Sequence, residues 1–238
     1  YTPMKEITQI KLLGLLIFLI PFISINVCLL VSVNYEFFNN TFFSVDQIGR
    51  SAYSFPYLDG GLSISRASRT FPQYLIFKPS MFITSILLCF YWYKNNLLIN
   101  TFKNTSSKKN NFMYYGILSA TFLIIHSFFL GVKTDIEIFK FLKRVFLIGF
   151  IAFEVTAQTL LVNQIYKLRD KIKNYFIPIV LKLKILLVSI LLLVAIINIP
   201  LLMMVDAYAN YKHALEWNYF ICVILYYFLV SFFWKKIS

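Results

Sequence analysis

Acidic residues are scarce in this chain: ten Asp and Glu stand against 23 Lys and Arg. Histidine is scarcer still, with His126 and His213 the two present. The three cysteines, Cys28, Cys89 and Cys222, sit singly inside apolar runs without CxxC spacing. They read as small hydrophobes and give no support to a disulfide framework. The spans hold one His and one Glu, too few for a metal site, since structural zinc takes four ligands. None of the motifs GxSxG, HExxH, GxxxxGK(S/T) or GxGxxG occurs. No cofactor is implied, and a non-catalytic role is favoured over an enzymatic one.

Charge as a whole is also low. Only 14% of residues are charged while 59% are hydrophobic, and the mean hydropathy is +0.72, too apolar for a soluble domain. A bilayer core of about 30 Å needs roughly 20 apolar residues per helix, which leaves room for about six spans. The richness in Phe, Ile, Lys, Asn and Tyr also has the look of AT-rich coding. The expected fold is all-α: one polytopic membrane helix bundle, residues 1–238, with spans near 12–33, 75–93, 112–132, 145–166, 185–205 and 217–234. The first run follows a charged segment as a signal peptide would, but it is long for an h-region and no small-residue cleavage site follows, so a retained span is expected.

Lys and Arg concentrate in alternate connectors. Residues 1–11, 94–109, 167–184 and 235–236 carry most of them, whereas 34–74, 133–144 and 206–216 carry most of the acids. The positive-inside rule then puts both termini in the cytoplasm. Basic flanks beside anionic lipid account for the net charge of +13 without nucleic acid.

One long connector, residues 34–74, is expected to form a structured outer loop. Asn39-Asn40-Thr41 in it is a glycosylation sequon of a kind that arises by chance in Asn-rich chains. Asp59-Gly60-Gly61 reads as a turn. Ser63, Ser65, Arg66, Ser68, Arg69 and Thr70 follow. If this piece is helical, Arg66 and Arg69 share one side; if it is extended, Ser63 and Ser65 share a face. Two guanidiniums beside several hydroxyls suit a phosphate or lipid headgroup. The bland alternative is that the arginines pair with Asp46 and Asp59 and fold the loop. Lys78, at the mouth of the second span, either snorkels or joins such a site. Within the spans the polar candidates are His126, Glu154 and Gln158, with Asn198 near an end. An intramembrane carboxyl is a functional candidate by default, and Glu154 and Gln158 share a helix face. A His126–Glu154 pair would relay protons or grip a polar substrate group, whereas a hydrogen-bonded Glu154 would simply stitch helices together.

The layout of six spans resembles the FRAG/DRAM/Sfk family. The resemblance rests on Ser63, Ser65, Pro72, Gln73, Tyr74 and Phe77 in the first outer loop, and on Pro56-Tyr57 opening it. A second, fainter match places Glu137 before Lys140 ahead of the fourth span. The Arg66-x-x-Arg69 pair departs from the family pattern. The resemblance implies lipid handling at the outer leaflet and transfers no catalytic residues. Membrane lipids are therefore the expected partners. Two further readings stand beside it: a structural subunit of a larger membrane assembly, and a transporter or lipid-modifying enzyme using His126 and Glu154.

Overall fold

The computed structural model describes residues 3–38, 41, 54–103, 110–130, 137–203 and 209–235. Among these, the elements are α1 (Pro3–Val33), a 3₁₀ turn (Tyr35–Phe38), α2 (Ile64–Ser68), α3 (Tyr74–Lys103), α4 (Asn111–Phe129), α5 (Glu137–Leu168), α6 (Pro178–Met203) and α7 (Ala209–Phe233). Six of them are long and apolar enough to cross a membrane. The chain is an all-α, multi-pass integral membrane protein. Its lipid-facing surface carries exposed Leu30, Ile148, Leu193 and Ile196, as a bilayer solvent permits.

The helices outrun the expected spans. α1 begins nine residues before Leu12, and α3 continues past Tyr93 to Lys103. The segment 94–103 therefore belongs to a helix rather than to a polar connector. Its apolar Leu98 and Ile99 are buried, as are Asn95, Asn96 and Asn100, so tertiary packing overrides its polar composition. Residues 137–144, most of the expected connector 133–144, form the first turns of α5; they contain no Gly or Pro to stop a helix. The connector 167–184 is shorter than expected, because Pro178 opens α6, a position where its missing N–H costs nothing. Lys184 then falls inside the bundle instead of in a solvated basic link.

Two faces of the bundle can be told apart. Lys11 Nζ donates to the Trp234 carbonyl at 3.2 Å, so the start of α1 lies beside the end of α7. Here the Ile177 amide donates to the Phe233 carbonyl and the Lys235 amide to the Tyr175 carbonyl, each at 2.9 Å. We call this the terminal face. The opposite, loop face holds residues 54–73, the end of α1 and the start of α7.

Between the faces, helices associate mainly by close packing, since lipid offers no hydrophobic drive between them. Gly116 of α4 meets the indole of Trp92: a Cβ there would lie 2.3 Å from the ring. Trp92, Tyr91, Tyr226 and Tyr227 are all fully buried around that contact. Ser80 of α3 donates to Ser24 of α1 at 2.7 Å, an interhelical bond of the sort that holds membrane helices in register.

Candidate functional site

On the loop face, residues 54–73 are folded onto α1 and α7. Asp59 closes the turn, accepting from Ser54 Oγ (2.9 Å), the Phe55 amide (2.7 Å) and the Gly61 amide (2.7 Å). Slight desolvation opposes the charge of this exposed residue, but these donors outweigh that effect and hold its carboxyl below the usual range. Gly60 has φ +60°, and a Cβ there would collide with the Asn210 carbonyl. The loop's carbonyls then meet α7: Gly60 with His213 Nδ1 at 2.9 Å, Leu62 with Trp217 Nε1 at 2.7 Å, and Tyr57 with Asn218 Nδ2 at 2.7 Å. The Tyr57 hydroxyl donates to Asn26 of α1 at 3.0 Å.

Ser63 and Gln73 help to hold this platform together. Ser63 caps α2, accepting from the Arg66 amide at 3.2 Å. The Ser63 hydroxyl is therefore used within the loop. Gln73 is fully buried; its amide donates to Ser32 Oγ at 3.1 Å and its Oε1 accepts from Thr70 at 3.2 Å. Pro56 and Pro72 are buried, and Tyr74 and Ser65 are half-buried. The side chains of Glu137 and Lys140, and all of Asp46 and the sequon's Asn39-Asn40, lie outside the described residues.

Arg66 and Arg69 point outward from this platform. Neither pairs with Asp59, whose oxygens are taken by the turn. Among the described residues the salt bridges are Lys94–Glu6 and Arg169–Asp170, both elsewhere. Lys78, at the first turn of α3, sits with Nζ 5.8 Å from the Tyr74 ring. The positive charges of Arg69 and Lys78 both bear on Lys143 of α5, whose Nζ lies 4.8 Å from the Phe139 ring. Arg69 at the end of α2, Lys78 near the start of α3 and Lys143 near the start of α5 thus all belong to the loop face. Lys143 escaped the sequence analysis because it stood in an apparent link; only the helical continuation of α5 brings it to the patch.

The second concentration of polarity is buried. Glu154 of α5 is 1% exposed. Ser119 of α4 donates to its Oε2 at 2.5 Å, Gln158 Nε2 donates to Oε1 at 3.0 Å, and the Tyr227 hydroxyl of α7 donates to Oε1 as well. Gln158 also donates to the Val223 carbonyl at 3.2 Å. The indole N–H of Trp92 lies near the carboxyl without completing a hydrogen bond. Lys184 of α6 is 1% exposed, with Nζ 3.9 Å from the Tyr226 ring and 5.2 Å from the Phe233 ring.

The structure separates His126 from Glu154. His126 Nδ1 meets the Lys143 carbonyl at 3.3 Å. Lys143 precedes Glu154 by eleven residues, about 16 Å along a helix. Asn198 is elsewhere again, accepting from Tyr211 at 3.1 Å. Tyr227 and Ser119, the real partners of Glu154, carried no sequence signal beyond their residue types. Among the described residues no cluster of His, Cys, Asp or Glu could hold a metal. Comparison of the chain with protein-family profiles, curated proteins and solved structures returns no match.

Proposed function

We propose that this membrane protein binds anionic lipid headgroups at its loop face, through Arg69, Lys78 and Lys143, with Arg66 at the rim. The observation that carries the reading is the placement of the first three cations, drawn from separate segments, at the loop-face ends of α2, α3 and α5. Arginine offers a planar fork to phosphate, and lysine a mobile point charge. Each basic residue near an anionic lipid surface is worth about 1 kcal/mol. The loop platform holds Arg66 and Arg69 through α2, so their ordering entropy is partly met before a lipid arrives. The likeness of this loop to that of the FRAG/DRAM/Sfk family, associated with lipid distribution, points the same way.

The test is native mass spectrometry of the chain released gently from its membrane, compared with the Arg69→Ala/Lys78→Ala variant. Loss of two charges at about 1 kcal/mol each predicts roughly 25-fold weaker retention of anionic lipid. Unchanged retention overturns the reading. A fixed-stoichiometry complex in which another chain covers the patch makes this protein an assembly subunit instead.

A further inference from the structure

We propose that Glu154 is a reversible proton carrier that communicates with the terminal face alone, along a buried polar path on α3. The path begins at Glu154 and Tyr227. The ring of Tyr91 stands 4.9 Å from that of Tyr227, and Tyr226 stands 5.5 Å from Tyr227. One turn further along α3 comes Asn95, then Asn96 and Asn100, all buried. At the end of the path Asn110 donates to Asn96 Oδ1 (2.8 Å) and Asn100 Oδ1 (3.0 Å), and Lys103 Nζ donates to Asn110 Oδ1 (3.0 Å). Polar side chains thus occur at each turn from the middle of the bundle to the terminal face.

Unsatisfied atoms support the same direction. The Tyr226 hydroxyl, Trp92 Nε1 and Gln158 Oε1 are buried without hydrogen-bond partners. Buried polar atoms are nearly always satisfied, so a group of orphans around one carboxyl marks where water or a hydrated proton enters. On the opposite side the buried hydroxyls of Ser85, Thr84 and Ser80 each donate to a backbone carbonyl of α3 itself, so they are spent locally. There a cavity of about 20 Å³ is lined by Ile17, Leu88, Leu123, Phe150, Phe220 and Ile224 among others. Thr84 is its other hydroxyl-bearing neighbour, and it donates to the Ser80 carbonyl at 2.7 Å. Glu154 and Tyr227 also stand on the cavity wall, but their polar atoms are already engaged with each other and with Ser119 and Gln158, as Thr84 is with Ser80. A water there would find few free partners.

Proton transfer then runs one way in space. A hydronium reaching Tyr227 from the terminal face gives its proton to the Tyr227 hydroxyl oxygen as that hydroxyl passes its own proton to Glu154 Oε1. An O–H bond breaks at Tyr227 and is remade there, one forms at Glu154, and water remains behind. The asparagines solvate the incoming water and exchange no proton themselves. The groups around the carboxyl are Tyr91 and Trp92 on α3, Ser119 on α4, Gln158 on α5 and Tyr227 on α7. Beside Tyr226 the bundle holds Lys184 of α6, whereas α1 contributes only Ile17 and Pro21 at this level. Intramembrane carboxyls beside hydrogen-bonding chains are where proton relays are built.

Infrared spectroscopy of the full chain in lipid bilayers tests this. A carboxylic-acid C=O absorption should grow as pH falls, vanish in Glu154→Gln and shift in D₂O. In Asn95→Leu that shift should appear severalfold more slowly, whereas Thr84→Val, on the opposite side, should exchange at the wild-type rate. Should Asn95→Leu fail to fold, Asn100→Leu at the mouth of the path gives the same readout. The proposal is overturned by the absence of a band that Glu154→Gln removes, by wild-type exchange in the blocked path, or by slowed exchange in Thr84→Val.

Discussion

The indole N–H of Trp217 donates to the carbonyl of Leu62 across 2.7 Å, and both residues are buried. This bond fastens the outer loop to α7, and the Tyr57 ring packs edge-on against Trp217 at 5.0 Å. Trp217→Phe keeps an aromatic ring and deletes the donor. A buried carbonyl left unsatisfied costs about 1–3 kcal/mol. The expected outcome is faster proteolysis within residues 54–73 with unchanged helix content. Equal cleavage rates for the variant and the parent would show that the loop is held by its other contacts.

Asp59 makes the loop sensitive to acid. Its folded carboxyl titrates below its unfolded value, so its contribution is complete above the unfolded pKa, near 3.9. That contribution is lost as pH falls through the lower, folded pKa. Exchange of the Gly61 amide, a donor to Asp59, taken relative to its intrinsic rate at each pH, should therefore rise below about pH 4 and stay flat from there to neutrality. In Asp59→Asn the acid-dependent rise should disappear.

Ser119 and Tyr227 both donate to Glu154, from α4 and α7. Residues sharing one buried acceptor are coupled, because removing one donor changes what the other must satisfy. A double-mutant cycle of Ser119→Ala and Tyr227→Phe, read by unfolding in detergent, should give a coupling above the average of about 0.6 kcal/mol for membrane hydrogen bonds. Additive effects would mean that the two donors act independently and that Glu154 is satisfied from elsewhere.

The separation of His126 from Glu154 shows where reading a chain ends. A His126–Glu154 pair is conceivable while residues 133–144 count as a connector between spans. α5 instead begins at Glu137 and carries Lys143 to the level of His126. The Gln158–Glu154 bond was legible, because residues four apart face each other on any helix. Lys184 was misplaced for the reason that caught Lys143: a helix start shifted by seven residues turns a connector lysine into a buried one.

What the sequence determined by itself is the membrane class, the number of spanning helices and the pairing of near neighbours. Those follow from local quantities, since a span must satisfy its own backbone and match the thickness of a bilayer whatever surrounds it. Tertiary structure alone decided which helices meet: Ser119 and Tyr227 at Glu154, Lys143 beside Arg69 and Lys78, and Trp217 under Leu62. The faces of these helices are nearly uniform in hydrophobicity, because lipid and protein interior are equally apolar. Periodicity therefore cannot tell which face turns inward, and close packing of particular side chains makes that choice.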